Sequence, residues 1–155
     1  MPSPQASQKF GAELFIKSFD HDPGATTAVL LGPDGGTTIR YVDMRDYLHL
    51  GVMAKPAIVA AGGLTKLEIV ACADTAFSSV TVIKDSGTVA GDSLNDVVFL
   101  ECSAEEIAQE AADAGVDLRY VAARLTHATA TDESVVTYIA LPRHPRLDLT
   151  ATAIT

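Results

Sequence analysis

"DVVFLECSAEEIAQEAADAGVDLRYVAARLTHA" occupies residues 96–128. Its centre reads as a helix over about 103–114. Ser103 can cap the first turn, and Glu106 three residues later completes an S-x-x-E capping box. Gly115 stands where a helix stops in a left-handed residue. Glu105 and Glu106 in the first turn suit the helix dipole. The flanks, "DVVFLEC" (96–102) and "LRYVAARLTHA" (118–128), read as strands. A strand–helix–strand unit is one step of an α/β fold, so the rest of the chain decides between α/β and β. No second helix is visible, so the βαβα rhythm of a parallel sheet is missing.

Outward from that stretch the chain offers short strands separated by turn signals. Upstream these are "FGAELFIKSF" (10–19), "ATTAVLL" (25–31), two short strands within 37–54, "LTKLEIVACAD" (64–74) and "SSVTVIKDSG" (78–87). "HDPG" (21–24) and "GPDGG" (32–36) carry turn chemistry. The charged "DMRD" (43–46) implies a bend between the two strands of 37–54. "KPAIVAAGG" (55–63) interrupts the strand pattern with a proline and a glycine pair. "DVVFLEC" reads as a buried strand from its continuous apolar run. Downstream, "SVVTYIALP" (134–142) follows "LRYVAARLTHA" through "TATDE", which reads as a hairpin loop. Eight or nine short strands at this spacing indicate a mainly β protein, an antiparallel β-sandwich of jelly-roll-like form with one short helix. The division is an N-terminal arm at 1–9, a β-sandwich domain at 10–142 and a C-terminal extension at 143–155.

The 155 residues fit one domain and are 48% apolar and 20% charged, a globular composition. The net charge of −9 and the lack of a lysine–arginine cluster exclude nucleic acid as the expected partner. No apolar run approaches the ~20 residues of a bilayer span, and "MPSPQASQKF" has no signal-peptide pattern. A membrane partner is therefore not expected, and assembly in the cytoplasm is. Cys72 and Cys102 each sit in an apolar run and read as buried, reduced thiols.

Candidate chemistry is sparse. Glu106 and Glu110 share a helix face at i, i+4, as a metal or acid–base pair would. No histidine stands at helical spacing beside them. Ala104, Ile107, Ala108 and Ala111 form a shallow apolar stripe, so the helix is expected to lie flat on the sandwich. His21, His49, His127 and His144 show no metal spacing. "GPDGG" lacks the lysine of a phosphate loop, and "GDSLND" (91–96) lacks the second glycine of a nucleophile elbow. The chain has no tryptophan, and its tyrosines and phenylalanines are dispersed, which gives little support to a carbohydrate platform. No catalytic residue, metal site or cofactor is expected. The acidic face of Glu105, Glu106, Glu110 and Asp113, with Arg143, His144 and Arg146 in "PRHPR", reads instead as a partner-contact surface.

The order of features resembles small structural proteins of tailed-phage virions, head decoration (cement) proteins above all. The residues that carry it are "ECSAEEI", "GVDLRYVAARLT" and the closing "YIALPRHP", within a layout spanning most of 36–145. The helix is longer than that class leads one to expect. The resemblance implies a non-enzymatic virion subunit, a homo-oligomer that stabilises a capsid shell, with the major capsid protein or other virion subunits as partners. Such proteins imply no catalytic residue. Physics is compatible: terminal arms can order on a neighbour, sheet edges can accept a strand, and an acidic subunit suits basic patches on a shell. Two other readings stay open. One is a tail or head–tail junction protein; the other is a small β-sandwich ligand-binding module or enzyme.

Overall fold

A computed structural model describes residues 15–21, 28–30 and 39–143. Among these residues the order is β1 (Phe15–His21), β2 (Ala28–Leu30), β3 (Val42–Asp43), β4 (Tyr47–Ile58), β5 (Leu64–Cys72) and β6 (Thr81–Asp85). Then come β7 (Val98–Ser103), α1 (Ala104–Ala114), β8 (Tyr120–His127) and β9 (Glu133–Pro142). One sheet has the order β1-β9-β4-β7; the other has β2-β8-β5-β6, with β3 also on β8. Every pairing is antiparallel. The mainly β, two-sheet class expected from the sequence is the one adopted. β7 and β8 lie in different sheets, so α1 carries the chain between sheets and is not a parallel crossover.

The two-residue period of the strands sets the core. From the first sheet Leu50, Val52, Ala54, Val136, Tyr138 and Ala140 point inward and are fully buried. Leu67, Ile69, Ala71, Val121, Ala123 and Leu125 meet them from the second. Tyr138 ties the sheets together. The Ala123 N–H donates to its hydroxyl oxygen at 2.7 Å, and that hydroxyl donates to the Arg40 carbonyl at 3.0 Å. It thereby satisfies one backbone group on β8, between the β2 and β3 pairings, and one on the segment leading into β3. Burial pushes the phenol well above its ordinary range. Tyr138→Phe keeps the ring and orphans both backbone groups, so we expect a loss of about 1–3 kcal/mol in urea unfolding. An unchanged midpoint would refute that bridging role.

Several strand expectations need correction. β4 runs through Lys55 and Pro56 to Ile58, although the proline was expected to interrupt it. The β7 partner ends at Ala54–Val98, so from Lys55 onward β4 is paired with β9 alone. The register then slips between Pro56 and Ile58, the kind of irregular edge that tolerates a residue without an N–H. β7 is an edge strand with one open face: Val97 and Phe99 are about half exposed. β8 and β9 do not form a hairpin. β9 lies between β1 and β4, and the loop at 128–132 crosses from one sheet to the other. Ala108 is exposed, and Ile107 is the only fully buried residue of α1. The arm at 1–9, residues 10–14, the turns at 22–24 and 32–36, and the extension beyond Arg143 lie outside the described residues.

Candidate contact site

α1 is held at both ends as its sequence dictates. The Glu106 N–H donates to Ser103 Oγ (3.2 Å), and the Ser103 N–H donates back to Glu106 Oε2 (2.9 Å). Gly115 closes the helix in the left-handed region at φ 66°. The acidic residues then divide by what they touch. Glu106 also accepts from Lys84 Nζ of β6, and that hydrogen bond, with the one from Ser103, holds its carboxyl below the usual range. Asp113 accepts from Gln109 Nε2 at 3.1 Å. Glu105 is exposed and Glu110 half-buried, and neither has an ion-pair partner among the described residues. Two of the four expected contact carboxylates are therefore available, and Glu106 is engaged in holding the helix to β6.

Two depressions flank the helix. One, of about 340 Å³, lies between α1 and the segments around 44–45 and 117–119. Its floor is Ile107, Ala111 and Leu118, and Arg45, Arg119 and Arg143 stand around it. The other, of about 410 Å³, is lined by Leu48, His49, Glu105, Ala108 and Arg143. Arg143 borders both, and its N–H donates to the Asp46 carbonyl at 2.9 Å, which fixes the end of β9. The fold thus brings Glu105 and Arg143 to one depression, as a contact surface requires. It leaves Glu110 and Asp113 off both linings. His144 and Arg146 lie outside the described residues.

Sequence reasoning missed Arg45 and Arg119. Asp43 holds both: Arg119 Nε reaches Oδ2 at 2.8 Å, and Arg45 Nε lies 3.5 Å from Oδ1. Arg119 is 76 positions away along the chain, so no local pattern could have signalled it. The aromatics were missed as well. Tyr41, Phe77 and Tyr120, dispersed in sequence, gather beside β8, with Tyr41 edge-on to Tyr120 at 77° and Arg119 4.7 Å above the Tyr120 ring. Edge-on rings offer no flat stacking surface for a sugar.

Other reactive groups are sealed. Cys72 and Cys102 are free and buried, as expected. Burial pushes the Cys102 thiol up to about 12, with Glu106 adding to the effect. It stays protonated and is a poor nucleophile. His127 Nε2 and Ser134 Oγ lie 2.9 Å apart, the spacing of a base and its nucleophile, but both side chains are buried in the core. Among the described residues no three His, Cys, Asp or Glu side chains are grouped as metal ligands. None of the described helices is long and apolar enough to cross a membrane. No protein-family model, curated protein or solved structure matches the chain.

Proposed function

We propose that this protein is a non-enzymatic structural subunit of a tailed-phage virion, an oligomer that decorates and stabilises the capsid shell. The observation that carries the reading is the disposition of α1. A helix capped at both ends and tied to β6 presents Glu105, beside Arg143, and Glu110, neither with an ion-pair partner among the described residues. Rigid, unneutralised charge on a surface is what a subunit needs to find a basic patch and hold register on it. The overall charge of −9 has the same sense. The layout resemblance to head decoration proteins supplies the virion context, and a tail or head–tail junction protein would use the same surface.

The test is cosedimentation with undecorated, expanded capsid shells of a tailed phage. The protein should bind, and Glu105→Lys with Glu110→Lys should weaken binding about tenfold, with a steep dependence on salt. Glu105 is exposed and Glu110 half-buried, and neither is part of the core, so the circular dichroism should not change. No binding to shells at low salt would sink the proposal. A second reading, a ligand-binding module, draws on the depression bordered by Arg45, Arg119 and Arg143, where a carboxylate could sit over an apolar floor.

A further inference from the structure

The outer face of the first sheet is apolar along most of β9 and at the exposed side chains Ile16 and Phe99 of its two edge strands. Outward from β9 point Val135, Thr137, Ile139 and Leu141, so apart from Thr137 the outer side of this strand is apolar. The cross-strand rows extend the pattern. Ile16, Ile139, Gly51 and Glu101 form one row; Ser18, Thr137, Met53 and Phe99 form the next. Ile16 is 61% exposed and Phe99 51%. The Phe99 ring rests on Gly51, where a Cβ would lie 3.0 Å from two ring atoms, so it is a braced surface and not a loose side chain. The only polar pair in the middle, Ser18 and Thr137, bond to each other at 2.8 Å and need no water. Antiparallel sheets with one wet face alternate apolar and polar; a strand apolar on both faces is the mark of a sheet covered on both sides.

We infer that a second copy of this chain covers the outer face of β1-β9-β4-β7, giving a face-to-face dimer. The charges on the face favour self-association. In a chain of net charge −9 the outward rows carry Asp20, Glu101 and Lys55 and are close to neutral, so two copies meet here with little net repulsion. Asp20 and Lys55 share the end row through Val135 and have no ion-pair partner among the described residues. A two-fold axis parallel to the strands lays β4 of one copy over β9 of the other, and β7 over β1. Each Lys55 then falls beside the Asp20 of the opposite copy, so the two-fold makes two such pairs. A basic partner recruited by charge would find no acidic focus on this face. Four strands at about 4.8 Å spacing and roughly seven residues long give a footprint on the order of 450 Å² per copy. Two copies would bury about 900 Å² in total, which is the size of a weak, transient association. The inference rests on the assembly reading only for its expectation of an oligomer.

Sedimentation velocity on the purified chain, from low to high micromolar concentration and without shells, tests it. The wild type should pass from monomer to dimer. Ile16→Lys and Phe99→Lys, both at exposed positions, should each leave a folded monomer. Lys55→Asp and Asp20→Lys should each weaken the dimer about tenfold, and the two together should restore it. A chain that stays monomeric throughout, as when its own termini cover the face, overturns the inference. So does a dimer unaffected by Ile16→Lys. Shell binding is read separately, so a failed dimer and a failed assembly role give different results.

Discussion

Replacing Asp132 by alanine is expected to cost about 3 kcal/mol and to lower the melting temperature by roughly 6–12 °C. Asp132 is fully buried. One carboxylate oxygen accepts from the backbone N–H groups of Ala60 (2.6 Å) and Ala61 (3.1 Å). The other accepts from the Thr129 N–H (2.9 Å) and the Thr129 hydroxyl (3.0 Å). A single side chain thus fixes the β4–β5 connection and the crossing from β8 to β9. Alanine leaves three backbone donors to find water. Asparagine at this position would keep one acceptor oxygen, so Asp132→Asn should cost about half as much. Losses of only a few tenths of a kcal/mol for Asp132→Ala would mean that water replaces the carboxylate freely.

The same group gives a pH signature. Burial alone would raise its pKa, but the donors from Ala61, Ala60 and Thr129 outweigh it and bring the carboxyl from 3.8 down to about 2. A depressed carboxyl stabilises the fold above its ordinary pKa, and that stability is lost as pH falls through the folded value. The contribution should therefore be complete above about pH 4 and disappear toward pH 2. Wild-type unfolding free energy should slope downward across that window, and Asp132→Asn should lack that part of the slope.

Local devices were legible and distant ones were not. Ser103, Glu106 and Gly115 specify the ends of α1 within a dozen residues, and the structure uses all three as expected. The bend at "DMRD" and the pairing of β5 with β6 were also readable, because turn residues and alternation act over short range. Which strand pairs with which was not. The short link from His127 to Glu133 has hairpin length, yet Asp132 reaches Ala60 and Ala61 and turns the chain into the other sheet. The continuous apolar run of "DVVFLEC" belongs to an edge strand that leaves Val97 and Phe99 half exposed, and not to a strand buried on both sides. Glu68 shows the same limit: it is buried, and Arg124, 56 positions away, meets it at 2.5 Å, with Lys66 on its other oxygen. At the contact site Glu105 and Arg143 were identified by charge alone, but their shared depression depends on β4 and α1 lying side by side.

Gly63→Ala should be the most damaging small substitution in the described chain, and Gly87→Ala shows why. Both glycines have nearly the same left-handed backbone, φ 67° and φ 66°. A side chain there costs about 1 kcal/mol from backbone strain alone. At Gly87 nothing lies within 4 Å of an added Cβ, so strain is the whole cost. At Gly63 the added Cβ would lie 2.0 Å from the Gly91 carbonyl oxygen, and backbone cannot move aside as a side chain can. Gly91 is held there by two bonds: the Leu64 N–H donates to its carbonyl (3.0 Å), and its own N–H donates to the Leu64 carbonyl (2.9 Å). The Ala128 N–H also donates to the Gly63 carbonyl at 2.8 Å, so the β4–β5 and β6–β7 connections and the end of β8 converge at this point. Relieving the clash breaks the Leu64–Gly91 bridge and shifts the loop that Asp132 clamps. We expect Gly63→Ala to cost more than about 3 kcal/mol against about 1 kcal/mol for Gly87→Ala. Paired urea titrations measure the difference. Equal losses at the two sites would show that φ, and not the approach of Gly91, governs this end of the sandwich.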